Sequence, residues 1–158
     1  MYEIKEITEN HQKVNYGEQI LRTLPEWFGI EESLLDYVNS LPKYPFFAAF
    51  KNQKCIGFFS GKIHHGRTGE IYVCGIDPKH QGVGVGTALY QILEAYCKDK
   101  GCGEMAVLTL DEAHPDKNYA MTRKFYQSLG FEAFYTSTEI WGEDHPCLIM
   151  KKEIGGKK

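Results

Sequence analysis

Between residues 81 and 87 the chain reads Gln81-Gly82-Val83-Gly84-Val85-Gly86-Thr87. Three glycines at alternate positions leave the backbone amides of that stretch uncovered by side chains. Ala88, Leu89, Ile92, Leu93 and Tyr96 then recur at helical spacing, so the glycines open a helix. Unpaired N-terminal amides and the positive end of the helix dipole together make an anion site, and a diphosphate suits it. Gln81 can add a side-chain amide donor. The same residues also read as a tight turn that needs glycine only for its backbone conformation. Two familiar phosphate loops fit poorly. A Walker loop ends in Gly-Lys-Ser/Thr, whereas Thr87 follows Gly86 directly. The dinucleotide fingerprint spaces its glycines Gly-x-Gly-x-x-Gly, with an acidic residue about 20 positions on. Asp111 stands at about that point in the topology, but the glycine spacing here is Gly-x-Gly-x-Gly.

Metal and thiol chemistry find little support in the spacing. Cys55, Cys74, Cys97, Cys102 and Cys147 are scattered, odd in number and without a CxxC pair, and no HExxH accompanies the histidines. Buried reduced thiols and no metal site are the expectation.

The elements that must position the glycine turn follow from periodicity. Tyr2, Ile4 and Ile7 suggest a first strand. Val14, Ile20, Leu21 and Leu24 suggest a helix stopped at Pro25, and Ile30, Leu34, Val38 and Leu41 a second one ended by Pro42. Pro25-Glu26-Trp27-Phe28-Gly29 between them reads as a loop with two large aromatics. Phe46 to Phe50 and Cys55 to Ile63 form a hairpin around Lys51-Asn52-Gln53-Lys54. A second turn at Gly66-Arg67-Thr68-Gly69 leads into the strand Glu70-Ile71-Tyr72-Val73-Cys74-Gly75-Ile76, in which alternation puts Glu70, Tyr72 and Cys74 on one face. Asp77-Pro78 closes that strand. After the glycine turn and its helix, Gly101 caps, and Met105 to Leu110 returns as a buried parallel strand. A helix from about Asn118 to Leu129 stops at Gly130, and strands at Phe131 to Thr136 and Cys147 to Lys151 flank a loop with Trp141, Glu143, Asp144 and His145.

Composition sets the outer limits. The 158 residues are 42% hydrophobic and 25% charged, enough for one domain with a real core. A single domain over residues 1–154 and a flexible tail over 155–158 are expected. The net charge of -3 argues against nucleic-acid binding through a basic face. No apolar run reaches the ~18 residues of a membrane span, and the charged N-terminus is unlike a secretory signal. A cytoplasmic protein with no membrane partner is the expectation.

The residues resemble the GNAT superfamily of N-acetyltransferases. Its hallmark Gln/Arg-x-x-Gly-x-Gly/Ala is matched by Gln81, Gly84 and Gly86, directly after a strand and opening a helix. Its later helix ends in a tyrosine followed by a short polar stretch and Gly-Phe, here Phe125-Tyr126-Gln127-Ser128-Leu129-Gly130-Phe131. The order of elements matches over nearly the whole chain. The resemblance implies an α+β fold: a mixed central sheet of about seven strands, a V-shaped splay between the two central parallel strands, and about four helices.

The resemblance also implies chemistry. Acetyl-CoA would be the co-substrate, its pantetheine arm paired with backbone groups around Cys74 and Ile76. Its diphosphate would lie on the amides of Gln81, Gly82, Val83, Gly84, Val85, Gly86 and Thr87. A primary amine would attack the thioester directly, a main-chain N–H near Ile76 would support the oxyanion, and Tyr126 would protonate the leaving thiolate. Read without the family, Tyr126 is a core tyrosine. Glu70 matches the glutamate that serves as base in the histone-acetylating branch; its other reading is an edge glutamate in solvent. Where the family has Asn seven positions before the tyrosine and Ala four before it, this chain has Tyr119 and Thr122, and the asparagine's contact is not carried to Asn118.

The acceptor would meet the early helices and the last hairpin. Trp27, Phe28 and Trp141, with Tyr44, Tyr135 and nearby carboxylates, suggest a small cationic amine through cation–π and charge contacts. The same aromatics also read as core beneath an acidic rim. Rival readings are an inactive acetyl-CoA-sensing module, a protein lysine or N-terminal acetyltransferase, and a dinucleotide-binding domain. Family members commonly form homodimers, so a homodimer is admitted.

Overall fold

The computed structural model describes residues 1–155. The tail expected over residues 155–158 lies, beyond Gly155, outside the described residues. Seven strands and five helices follow one another as β1 (Glu3–Glu6), α1 (Asn10–Leu21), α2 (Pro25–Phe28), α3 (Glu31–Ser40), β2 (Phe46–Lys51), β3 (Lys54–His64), β4 (Thr68–Ile76), α4 (Val85–Asp99), β5 (Glu104–Leu110), α5 (Lys117–Ser128), β6 (Glu132–Ser137) and β7 (Cys147–Glu153). The strands form one mixed sheet in the order β1-β2-β3-β4-β5-β7-β6. β4 and β5 run parallel, whereas β1–β2, β2–β3, β5–β7 and β6–β7 are antiparallel. This is the α+β class expected, with one short helix more.

Contacts group the chain into two compact units, Met1–Lys62 with Tyr72–Tyr96, and Ile63–Ile71 with the chain from Cys97 onward. In the first, Ile20, Leu21, Leu34, Val38, Leu41, Phe46, Phe58 and Val73 form the core, with Phe46 and Phe58 stacked at 4.7 Å. Arg22 ties α1 to α3: its guanidinium takes Glu31 in a fork at 2.8 and 2.9 Å and Glu18 at 2.8 Å. Gly75 lets Ile20 and Leu24 pack closely on β4: a Cβ there would stand 2.7 Å from Leu24 Cδ1 and 3.1 Å from Ile20 Cγ2.

Three local expectations are revised. Pro25 to Phe28 is a helical turn instead of a loop: Trp27 N–H and Phe28 N–H both donate to Leu24 O, at 3.1 and 3.0 Å. Proline at a first helical position has its φ preset and lacks only an amide that would be unpaired anyway. Packing of the two half-buried aromatics stabilises a turn too short to show a period. The β3–β4 turn lies at His65 (φ 54) and Gly66 (φ 65), so Thr68 and Gly69 belong to β4. A type I′ hairpin turn needs two consecutive positive φ values, and that dipeptide supplies them, with Arg67 N–H donating to His64 O at 3.0 Å. α5 begins at Lys117, capped by Asp116, whose carboxylate accepts from Asn118 N–H at 2.8 Å and Tyr119 N–H at 3.2 Å.

In the second unit, β4 and β5 pair from Thr68↔Glu104 to Ile71↔Val107. β5 is also paired along its length with β7, from Glu104↔Glu153 to Leu110↔Cys147. α5 ends at Gly130 (φ 104), where Phe131 N–H returns to Tyr126 O at 3.1 Å, a left-handed glycine stop.

Candidate active site

β4 alternates along its whole length, with Gly69, Ile71, Val73 and Gly75 buried and Glu70, Tyr72, Cys74 and Ile76 half-buried. The sequence alternation therefore puts Glu70, Tyr72, Cys74 and Ile76 on one partly open face. Tyr72 is held there by its hydroxyl, 2.7 Å from Ser40 Oγ, and by the Tyr37 and Tyr44 rings at 5.5 and 5.0 Å.

Where β4 ends, Asp77 organises the turn. Its N–H donates to Ile56 O at 2.9 Å and its carboxylate accepts from Lys79 N–H at 3.0 Å. The Gln81 side-chain amide donates to Ile76 O at 2.9 Å, so this residue ties the strand end to the glycine turn, a role that the motif alone did not suggest. Gly82 (φ 79) and Gly84 (φ 89) then take left-handed conformations, which L-residues adopt only with strain. No heavy atom beyond the chain neighbours lies within 4 Å of where a Cβ would stand at either. Val85, 1% exposed, anchors the first turn of α4, and Gly86 and Thr87 continue it. The first amides of a helix have no intrahelical acceptor. The turn is thus an open cradle of main-chain donors at the positive end of a fifteen-residue helix, and its chemistry fits a diphosphate.

Glu70 is no edge residue in solvent. Its side chain is 16% exposed, and Oε1 lies 2.6 Å from His64 Nε2. Burial, and secondarily the Glu70 charge, pushes the Cys147 thiol up to about 11. His64 escaped the sequence reading; the signal was its position just before the tight His65-Gly66 turn, which brings residues on either side of it together.

Tyr126, 7% exposed, lies on α5 with its ring edge-on to Phe131 at 6.1 Å. Trp27 and Phe28 are half-buried and pack against the core of the first unit, where Phe28 meets Tyr37 edge-on at 5.7 Å. Trp141 belongs to the second unit, 40% exposed between β6 and β7. Among the described residues no group of three or more His, Cys, Asp or Glu is placed to hold a metal ion, and no helix is long and apolar enough to cross a membrane.

The mixed seven-stranded sheet thus has a parallel central pair, and a glycine turn opens its long fourth helix. The family model described as Acetyltransferase (GNAT) family matches residues 16–131, and the chain belongs to that family. A mycothiol acetyltransferase of Mycolicibacterium smegmatis is 41% identical over 91 residues, 56% of this chain and 30% of that protein. The chain thus spans under a third of the length of that relative. Among solved structures, an aminoglycoside 6'-N-acetyltransferase complexed with coenzyme A superposes with a TM-score of 0.77 at 20% identity, covering 99% of both chains. The ribosomal-protein-S18-alanine N-acetyltransferase of Escherichia coli gives 0.77 at 17% identity, covering 100% of this chain and 97% of that one. These two likenesses are of fold.

Proposed function

We propose that this chain transfers an acetyl group from acetyl-CoA to a primary amine. The observation that carries the proposal is the open glycine turn, with Gly82 and Gly84 left-handed and open space where a side chain would stand at either. Those amides, from Gln81 to Thr87, hold the diphosphate. Main-chain groups around Cys74 and Ile76 take the pantetheine arm.

An alkylammonium with a pKa near 10 must lose a proton before it can attack. Glu70, held by His64, accepts that proton, directly or through water. The neutral nitrogen forms a bond to the acetyl carbonyl carbon, and an N–H near Ile76 supports the oxyanion. The C–S bond breaks as the oxyanion collapses, Tyr126 donates its phenolic proton to the departing thiolate, and the second proton of the attacking nitrogen, released as the amide forms, restores the phenol through solvent. A phenol of ordinary pKa about 10 carries that proton at neutral pH.

The relatives' names specify different acceptors, mycothiol chemistry, an aminoglycoside and a protein alanine, so they support acetyl transfer without choosing the amine. Thiol release from acetyl-CoA, followed over a panel of amines, tests the reading. Release that saturates with at least one amine is expected. Tight CoA binding with no release from any amine would favour a sensing module instead.

A further inference from the structure

The open face of β4 has a cation beside it that lacks an anion. Lys62, near the end of β3, holds Nζ 4.1 Å from the Tyr72 ring centroid and 5.0 Å from that of Tyr44. The Tyr72 ring is itself fixed, by Ser40 at its hydroxyl and by ring contacts with Tyr37 and Tyr44. Lys62 is half-buried. Two other lysines that lie over rings make the contrast. Lys151, 4.5 Å from Phe134, has Glu104 at 2.8 Å, and Lys5, 5.7 Å from Phe50, has Glu3 at 3.4 Å. Among the described residues Lys62 has no carboxylate or carbonyl partner; its contacts are the two tyrosine faces.

A ring face attracts an ammonium through its quadrupole but accepts few of its hydrogens, so N–H donors are left over. A partly desolvated charge without a counter-ion is completed by one. The position of that charge is informative. Tyr72 precedes Ile76 by four residues of one strand, about 13 Å at ~3.3 Å per residue, a span that a small acceptor can bridge.

We propose that Lys62 is the anchor for a carboxylate on the acceptor, so that the substrate class is a small aminocarboxylate whose reacting amine lies several bonds from its carboxylate. This rests on the acetyl-transfer reading above and narrows it. The small cationic amine suggested by the sequence would have to bring a second positive charge towards Lys62, whereas an aminocarboxylate brings the missing negative one. The tyrosines serve to hold Lys62 in place, which lowers the entropy lost when the carboxylate binds.

The test compares thiol release with three acceptors of matched length: 6-aminohexanoate, its carboxamide, and 1,6-diaminohexane. For the wild-type chain, KM for the acid is expected to be about 10- to 100-fold below that for the amide, the range of a hydrogen bond between charged groups, with the diamine poorer still. Lys62→Met keeps the side-chain bulk on the tyrosines and should collapse the acid-to-amide ratio to near one, while Lys62→Arg should retain most of it. An acid no better than its amide in the wild-type chain, or an unchanged ratio in Lys62→Met, overturns the anchor while leaving acetyl transfer standing. No release from any of the three, nor from any other amine, overturns both.

Discussion

His64 Nε2 lies 2.6 Å from Glu70 Oε1, across the two-residue turn that joins β3 to β4. The carboxylate is largely covered and the imidazole is 47% exposed, so the pair links a sheltered carboxylate to solvent. If Glu70 is the base, Glu70→Gln should lower kcat about 100-fold, within the range of general acid–base catalysis, with CoA affinity retained. His64→Phe should lower it less, about tenfold, because it releases the carboxylate from its orientation without removing it. An unchanged kcat in both variants would remove Glu70 from the reaction.

Tyr126→Phe removes one hydroxyl from a buried ring whose packing against Phe131 does not depend on it. Turnover should fall between about 10- and 1,000-fold with acetyl-CoA, and CoA affinity should hold. An acetyl donor with a more acidic leaving thiol should recover much of the loss, since such a thiolate needs no acid. Wild-type turnover in the variant would remove Tyr126 from the reaction.

The cysteines divide by burial. Cys55, Cys97, Cys102 and Cys147 are buried, whereas Cys74 is half-buried on the open face of β4. A disulfide reagent at pH 8 should therefore label Cys74 first, and saturating CoA should slow that labelling at least tenfold. Labelling indifferent to CoA would contradict a pantetheine arm beside Cys74. Burial pushes the Cys55 and Cys147 thiols up to about 11, above the ordinary value near 8.5. The folded state thus holds these protons more tightly than the unfolded one. Their contribution to stability is complete below about pH 8.5 and lost as pH rises towards 11. Urea midpoints should fall over that window, and less steeply in Cys147→Ala.

Asn52 (φ 51) and Gln53 (φ 67) form the β2–β3 turn. Gln53 sits where glycine is favoured, and a left-handed L-residue is strained by about 1 kcal/mol. Gln53→Gly should raise Tm by about 2–4 °C, read by calorimetry, without touching the proposed site. A lowered Tm would show that the turn is not limited by its backbone.

What the sequence made legible was mostly local. The glycine turn, the α4 period, the β4 alternation and the Gly130 stop each depend on residues within one or two turns of chain. Glu70 was visible by the strand pattern, and its environment was not, because His64 reaches it through a turn whose location the glycines at 66 and 69 left ambiguous. Lys62 escaped notice for the same kind of reason. Its neighbours Tyr44 and Tyr72 lie outside β3, and only the folded chain shows that, among the described residues, no carboxylate accompanies them. Trp27 and Phe28 were conspicuous by type, and only the folded chain shows both packed against the first unit's core.

The central claim is that the main-chain amides at the start of α4 grip a diphosphate. Calorimetric titration with CoA, with pantetheine, and with pantetheine 4′-diphosphate, which restores the diphosphate without the adenosine and should recover most of the lost affinity, tests it most directly. CoA should bind with a micromolar Kd and pantetheine at least 100-fold more weakly, a loss of about 2.7 kcal/mol. No heat from millimolar CoA, or pantetheine binding as tightly as CoA, would contradict it.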